Sequence, residues 1–181
     1  MGPTQRGAGY QFVNAVVGGS IPSKFIPAVD KGVQEASARG VLAGYPMVDF
    51  LVEVYDGSYH SVDSNELSFR MAGAQAFKSV AQKCRPILLE PLDELDITTP
   101  DRFLGDVLGD LSSRRGHILG TDTVPGGYSL VRAVVPQAEL HLYATDLYSK
   151  THGHGTFVRR FKGYEQMPGE AAQKVINESK G

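Results

Sequence analysis

The chain has 181 residues, of which 41% are apolar, and its formal net charge at pH 7 is −2. This length suits one large domain or two small ones, and no apolar run approaches the length that crosses a bilayer. The slightly negative charge excludes a protein that coats nucleic acid through bulk positive charge, although a few placed side chains can still contact RNA. The single cysteine, Cys84, cannot form an internal disulfide, and the N-terminus lacks a secretory signal. We therefore expect a soluble protein in a reducing cytoplasm.

The first part of the chain predicts a strand, a helix and a second strand. Residues 9–17 read as a strand that ends at two glycines. A helix with a proline near its first turn follows and ends at Gly40. The positions on this helix that we expect to be buried are Ile26, Val29, Val33 and Ala36. Residues 48–55 alternate in polarity, which predicts the second strand.

A turn and a second helix come next. Asp56-Gly57 is a strong turn signal, so we expect residues 59–62 to return as a short strand and form a tight, exposed hairpin. Asp63 together with Glu66 is typical of a capping box at the start of a helix. The stripe of this helix that we expect to face the core consists of Leu67, Met71, Ala74 and Phe77.

The second half, which begins at Pro86, predicts the order βαββαβ, which is the ferredoxin-like order. Its first strand, residues 87–97, contains Pro91, and a proline suits an edge strand or a bulge. The later elements are a helix from Pro100 to Gly116, strands at 118–119 and 128–135, a helix from Pro136, a strand at 156–161 and a short helix at 169–176. We therefore expect an α+β protein with two two-layer sandwich domains, residues 1–84 and 85–181.

The predicted hairpin is the strongest candidate for a binding site. Its residues are Asp56, Gly57, Ser58, Tyr59 and His60. An imidazole and a phenol at an exposed tip suit RNA, because rings stack on bases and polar groups reach phosphate and 2′-hydroxyl groups. Gly19 and Ser20 belong to a strand-to-helix loop that we expect to form a neighbouring part of the tip. The alternative for both loops is an ordinary surface connection.

A second candidate surface lies at the end of the helix that closes at Gly116. Arg114, Arg115 and His117 place positive charge at a helix C-terminus, where it complements the helix dipole by about 0.3–1 kcal/mol per charge. Contact with RNA phosphates is the functional alternative, and the two roles are compatible.

Other reactive residues do not form a convincing catalytic or metal site. His152 and His154 lack the further ligands that a metal site needs. Cys84 has no histidine partner nearby in sequence and is interpreted as a small apolar filler. Asp56, Ser58 and His60 contain the residue types of a catalytic triad, but they lie too close together on one hairpin for its geometry. We expect no catalytic residue and no metal in this chain.

Four long stretches of the chain resemble elongation factor G. They are FVNAVVGGSIPSKFIPAVDKGVQEA, GVLAGYPMVDFLVEVYDGSYHSVDSNELSFRMAGAQAFK, LLEPLDELDITTPDRFLGDVLGDLSSRRGHILG and LYATDLYSKTHGHGTF. The similarity runs over nearly the whole chain. The resemblance implies that residues 1–84 are part of the family's fourth domain, with a left-handed βαβ crossover like that of a small-subunit ribosomal protein. Residues 85–181 would be the fifth domain, which is ferredoxin-like.

The resemblance also implies a function. The chain would be the C-terminal, ribosome-contacting arm of a translational GTPase that promotes translocation of tRNA and mRNA. Its partners would be ribosomal RNA, tRNA and mRNA, with no membrane, and it would be monomeric. His60 matches the histidine that is important for translocation in the family, and Arg114, Arg115 and His117 would contact large-subunit RNA.

The parent protein would be the GTPase, with GTP and Mg²⁺ bound in another domain. No GxxxxGK[ST] phosphate loop occurs in these residues, so we expect no enzyme activity and no cofactor from this chain itself. The resemblance therefore implies a fragment of a longer protein.

Several residues depart from the family pattern and favour alternatives. Ser61 stands where the family usually has an acid, Tyr148 where arginine is common, and His152 and His154 where glutamine and arginine are more usual. These departures favour a paralogue that acts in ribosome recycling or rescue. An alternative of another class is a free-standing RNA-binding α+β protein, although the second half lacks an RNP1-type aromatic run. A free-standing small-molecule enzyme is disfavoured, because no acid, base and nucleophile converge.

Overall fold

The computed structural model describes residues 1–179, which divide into two compact units. Unit 1 contains Met1–Ile87 together with the chain from Pro168 onward, and unit 2 contains Leu88–Met167. The helices and strands are β1 (Gly2–Pro3), β2 (Tyr10–Asn14), α1 (Ile26–Arg39), β3 (Phe50–Val54), α2 (Glu66–Lys83), β4 (Leu89–Pro100), α3 (Leu104–Ser113), β5 (His117–Val124), β6 (Tyr128–Pro136), α4 (Tyr143–Lys150), β7 (Thr156–Gln166) and α5 (Gly169–Glu178). Among the described residues, no helix combines the length and apolar character needed to cross a membrane.

The final helix, α5, belongs to a different unit from the one expected from the sequence. Contacts group α5 with unit 1, whereas the sequence analysis placed this helix within the second domain, residues 85–181.

Unit 1 is built on a three-stranded sheet with the order β1-β3-β2. The predicted strand–helix–strand unit is present, because β2 and β3 lie side by side in parallel and α1 connects them. Gly40 ends α1 with a φ of 58°, and a Cβ atom there would lie 2.0 Å from the carbonyl oxygen of Tyr45. Glycine is therefore required at this position for both reasons. The short strand β1, which pairs antiparallel with β3, has no periodic sequence signal.

The chain between β3 and α2 corrects two sequence predictions. Residues 59–62 form no return strand, because the loop closes on itself through hydrogen bonds between His60 and Ser64. The helix cap is Asn65, whose Oδ1 accepts a hydrogen bond from the backbone N–H of Ser68 at 2.9 Å. The predicted capping box of Asp63 and Glu66 is therefore wrong, because α2 begins one residue after an asparagine that caps it directly.

The face of α2 that packs inward is also different from the predicted stripe. Its buried residues are Phe69, Gly73, Phe77 and Ala81. Of the predicted stripe, Phe77 is buried, and Ala74 is partly buried against the same core cluster. Leu67 and Met71 are each more than half exposed. The buried face has Gly73 at its point of closest approach to α1, and Phe69 and Phe77 lie one turn away on either side of this glycine.

Two glycines bring the backbones of α1 and α2 together. A Cβ atom on Gly32 would lie 2.0 Å from the carbonyl oxygen of Arg70, and one on Gly73 would lie 2.5 Å from the carbonyl oxygen of Val29. Because both obstacles are backbone atoms, no side-chain rotation can relieve either clash. The side chains of Arg70 and Glu35 form an ion pair that also joins the two helices.

Unit 2 has the predicted ferredoxin-like fold. Its four antiparallel strands have the order β5-β6-β4-β7, and its element sequence is βαββαβ. The core between sheet and helices contains Leu95, Ile97, Val107, Leu111, Val131, Ala133, Val135, Leu140, Tyr143 and Leu147. The helix expected from Pro136 is a 3-10 turn (Gln137–Leu140), after which Leu142 takes a left-handed φ of 62° before α4 begins.

Pro91 occupies a special place in the interior strand β4. It pairs with Tyr164 of β7, whereas the pairing of β4 with β6 begins only at Leu92. A shift in register with β7 follows between Leu92 and Asp93. The proline thus lies beside a bulge and outside the part of β4 that β6 pairs with, so its missing N–H removes no bond to β6.

Adding one methyl group at Gly32 is expected to destabilise unit 1. Gly32→Ala forces the α1 and α2 backbones apart and should lower the free energy of unfolding by about 2 kcal/mol or more, as overpacking does elsewhere. Urea unfolding followed by circular dichroism measures this change. Gly109→Ala in α3 is the matched control, because nothing lies within 4 Å of its Cβ position and alanine favours a helix. Equal stability of the Gly32→Ala variant and the parent would contradict the close packing.

Candidate functional site

The loop between β3 and α2 is exposed and held by its own hydrogen bonds. Every residue from 55 to 63 is exposed. The backbone N–H of Gly57 donates to Oδ1 of Asp56 at 2.8 Å. The backbone N–H of His60 donates to Oγ of Ser64, and the N–H of Ser64 donates back to the carbonyl oxygen of His60, both at 2.9 Å. These bonds define a folded loop rather than a strand-paired hairpin.

The strand-to-helix loop at residues 18–22 contacts this segment through Ile21. Gly57 lies so close to Ile21 that a Cβ atom on the glycine would be 2.6 Å from the Cδ1 atom of Ile21. Ile21 is itself buried, whereas Gly18 and Gly19 turn the chain with φ values of 70° and 73°. We call residues 18–22 and 55–64 together the tip of unit 1.

A cluster of three aromatic side chains packs beneath the exposed surface of the tip. The rings of Phe25 and Phe69 stack with centroids 4.8 Å apart, and the ring of Tyr59 lies 5.9 Å from that of Phe25. Phe25 and Phe69 are buried, while Tyr59 keeps 40% of its surface exposed. Tyr59 is thus anchored on one side and open on the other.

Lys24 is a positively charged residue next to the tip, and the sequence analysis did not identify it as a candidate. Its Nζ lies 4.8 Å from the centroid of the Phe25 ring, within the range of a cation–π contact. Lys24 is exposed and follows shortly after the 18–22 loop. No local pattern marks this contact, because the position of Phe25 depends on its stacking against Phe69 from the distant helix α2.

The chemistry available at the tip is stacking and hydrogen bonding. Residues 55–64 contain two carboxylates, Asp56 and Asp63, and no lysine or arginine. Bulk attraction for phosphate therefore does not come from this loop. An imidazole, two phenols, hydroxyl groups and carboxylate oxygens suit base faces, amino groups of bases and 2′-hydroxyl groups.

The two arginines at the end of α3 form internal ion pairs. Arg114 donates from Nε to Asp110 at 2.8 Å and from its terminal nitrogens to Asp146 and to the carbonyl oxygen of Glu139. Arg115 donates from both terminal nitrogens to Glu90 at 2.8 and 2.9 Å, and from Nε to Glu139 at 2.9 Å. All the guanidinium nitrogens of both arginines thus have partners within unit 2.

These ion pairs raise the pKa of both arginines. Burial lowers the pKa of Arg114, but hydrogen bonds to Asp110 and Asp146 outweigh that effect and raise it above the ordinary value. The hydrogen bond to Glu90 likewise raises the pKa of Arg115. Glu90 is only 4% exposed, and both of its carboxylate oxygens accept hydrogen bonds from Arg115.

These pairs join the end of α3 to β4, to the 3-10 turn and to α4. A phosphate at Arg114 or Arg115 would have to compete with the carboxylates already bound there. His117, the first residue of β5, is exposed.

The remaining reactive residues occupy separate places. Cys84 is exposed, so its interpretation as an apolar filler is wrong; it caps the end of α2 and does not reach the core. His152 has a left-handed φ of 50°, and its ring lies 5.5 Å from that of Phe103. Within residues 1–179, no three side chains of His, Cys, Asp or Glu are arranged to hold a metal ion.

Removing Arg115 is expected to destabilise unit 2 by leaving Glu90 buried without a partner. Arg115→Met should lower the free energy of unfolding by about 2 kcal/mol, and a second change, Glu90→Gln, should recover part of the loss. Arg132→Met, which breaks an ion pair between half-exposed side chains, is the control and should cost about 0.5 kcal/mol. Chemical denaturation of the parent and the three variants checks the comparison, and equal losses for Arg115→Met and Arg132→Met would refute it.

Comparison with known proteins covers both units. A family model described as elongation factor G, domain IV matches residues 1–85, and one described as elongation factor G C-terminus matches residues 87–175. The chain is 50% identical over 176 residues to elongation factor G of Aquifex pyrophilus, covering 97% of this chain and 25% of that protein. A crystal structure of a Thermus thermophilus protein matches with a TM-score of 0.81 and 42% identity, over 98% of this chain and 26% of that one.

The chain thus spans about a quarter of the length of the proteins it matches. The two family models follow one another along nearly the whole chain, and the relative is half identical over the same residues. The fold agrees, because unit 2 has the strand order expected for the fifth domain and unit 1 has the expected strand–helix–strand unit. This chain belongs to the elongation factor G family, as its domain IV and C-terminal portion.

Proposed function

We propose that the chain is the ribosome-contacting arm of a translational GTPase and that its tip contacts tRNA and mRNA during translocation. The observation that carries this proposal is the tip itself. Two loops meet there through Gly57 and Ile21, and every residue from 55 to 63 is exposed. The stacked pair of Phe25 and Phe69 supports Tyr59 beside His60. The family membership supports ribosomal RNA, tRNA and mRNA as the partners.

The role we propose is positional and not chemical. A tip that fits between RNA elements after they have moved lowers the free energy of the moved state, so the backward step becomes slower. Stacking and a few hydrogen bonds are enough for this task, which is compatible with a net-negative chain. GTP and Mg²⁺ would bind in other domains of the parent protein, and the chain would act in the cytoplasm as a monomer.

A second candidate within the family is ribosome recycling or rescue. The observation that favours it is Ser61, which lies in the exposed loop of the tip where the resemblance leads us to expect an acid. A changed charge at this place would alter which RNA state the tip stabilises. Synthesis of a polypeptide in a reconstituted system separates the two candidates, because only a translocation factor sustains it over many codons.

Loss of the imidazole at the tip is expected to slow translocation. In the full-length factor, His60→Ala should reduce the translocation rate by about tenfold, the size expected from one lost stacking or hydrogen-bonding contact with RNA. Rapid kinetics with fluorescent mRNA measures the rate. Ribosome-stimulated GTP hydrolysis should stay close to that of the parent.

The matched control for this variant is Tyr45→Ala. Tyr45 is an exposed aromatic residue of unit 1 that lies outside both tip loops. Its removal should leave both rates unchanged. If His60→Ala slows GTP hydrolysis as much as it slows translocation, the proposed role of the tip is wrong.

The isolated chain is expected neither to bind GTP tightly nor to hydrolyse it. The sequence has no phosphate loop to cradle the β- and γ-phosphates. Titration of GTP and Mg²⁺ into the chain in a calorimeter should give no saturable heat, whereas the full-length factor should give a binding curve. Saturable binding by the chain would show that the assignment of nucleotide binding to other domains is incorrect.

A further inference from the structure

The edge strand β7 has an unusual set of exposed side chains. In the sheet order β5-β6-β4-β7, β7 is an edge strand that pairs with β4, and no strand within residues 1–179 pairs with its other edge. Its sequence, TFVRRFKGYEQ, contains three cations and one carboxylate, although the whole chain is net negative. Two of its aromatic residues, Phe161 and Tyr164, are 59% and 56% exposed.

A bulge places these two aromatic rings together. Phe161 pairs with Asp93 and Gly163 pairs with Leu92, so Lys162 is the extra residue between them. In a regular strand, residues three apart point to opposite faces, whereas one inserted residue returns them to the same face. The rings of Phe161 and Tyr164 are accordingly in edge contact, with centroids 5.6 Å apart. The result is an exposed aromatic pair with a lysine between its members in the sequence.

Arg159 adds an oriented guanidinium group to the same strand. Its Nε donates to Asp93, which is only 1% exposed and also accepts a hydrogen bond from Gln137 at 2.7 Å. Within residues 1–179, the terminal nitrogens of Arg159 have no hydrogen-bond partner, and the side chain is 44% exposed. A buried carboxylate thus holds one side of the guanidinium group and leaves the outer donors available.

This arrangement differs from that of the arginines after α3. All the nitrogens of Arg114 and Arg115 are used by internal partners, whereas Arg159 keeps two donating groups for an external one. The two terminal nitrogens of Arg159, which have no partner within residues 1–179, can donate hydrogen bonds to the oxygens of a phosphate group. The distribution of hydrogen bonds therefore indicates which cations of unit 2 are available to a ligand.

We propose that Arg159, Phe161, Lys162 and Tyr164 form a second RNA-contacting surface, the β7 surface, which binds an unpaired segment of RNA. A base stacks on the aromatic pair, while Arg159 and Lys162 contact the adjoining phosphates. Exposed aromatic rings beside cations are the combination that single-stranded RNA recognition uses. An added β-strand from a protein partner is disfavoured, because the bulge and the charged side chains disrupt the open edge.

The β7 surface is independent of the tip, since it lies in unit 2 and shares no residue with it. Its test uses the 181-residue chain and a fluorescently labelled, unstructured RNA of about 12 nucleotides, a length within the usual range of single-strand sites. Fluorescence anisotropy measures the dissociation constant at several salt concentrations. Circular dichroism checks that each variant is folded.

Two variants should weaken RNA binding in different ways. Phe161→Ala should raise the dissociation constant by about tenfold through the loss of one stacked base. Lys162→Gln should weaken binding and reduce the salt dependence by about one counterion. The controls are Tyr148→Ala, which removes another exposed aromatic ring of unit 2, and Lys174→Gln, which removes an exposed charge of α5. Both controls should bind within about twofold of the parent.

The outcomes separate this inference from the proposed function. If the parent chain does not bind the RNA, or if the two β7 variants bind like the parent, the β7 surface is not an RNA site. A loss confined to His60→Ala in the same assay would likewise refute the β7 surface and leave the tip proposal intact.

A photocrosslink distinguishes RNA from a protein partner. A photoreactive phenylalanine analogue at position 161 keeps an aromatic ring on the surface, and ribosomes provide both kinds of partner. Crosslinks to ribosomal RNA are the expected result. Crosslinks to ribosomal proteins alone, or none, would overturn the inference.

Discussion

Unit 1 depends on the close approach of α1 and α2. Gly32 and Gly73 each meet a carbonyl oxygen of the opposite helix at a distance that excludes any side chain. This approach brings the beginning of one helix next to the beginning of the other, so that Phe25 stacks on Phe69. The two loops that enter these helices are the two loops of the tip. The position of the proposed RNA-contacting residues therefore follows from a backbone contact deeper in the unit.

Unit 2 uses the same type of side chain for two different purposes. Arg114 and Arg115 satisfy buried or half-buried carboxylates and join secondary-structure elements. Arg159 neutralises the buried Asp93 with one nitrogen and keeps its remaining donors exposed. In both cases a buried carboxylate is a partner. The difference is that all the guanidinium nitrogens of Arg114 and Arg115 are hydrogen-bonded, whereas only Nε of Arg159 is. Charge in the sequence does not separate these roles, because the arginines are equivalent until their partners are known.

The tip and the β7 surface would contact RNA through similar chemistry on different supports. At the tip, loops carry the side chains and buried aromatic rings hold them from below. On β7, a strand carries the side chains and a bulge aligns them. Neither site needs a strongly basic protein, since stacking supplies contact area and few cations are involved. This is consistent with a net charge of −2.

The sequence by itself determined the order of elements, the fold of unit 2 and the exposed position of residues 55–60. These features depend on periodicity, turn residues and long collinear similarity, which are properties of neighbouring residues in one chain. The tertiary structure decided which face of α2 is buried, why residues 59–62 form no strand and which arginines are already paired. Gly73 faces inward only because α1 approaches it, and Arg115 is occupied only because Glu90 of a separate strand lies beside it. Such contacts join residues far apart in the chain, so no local pattern contains them.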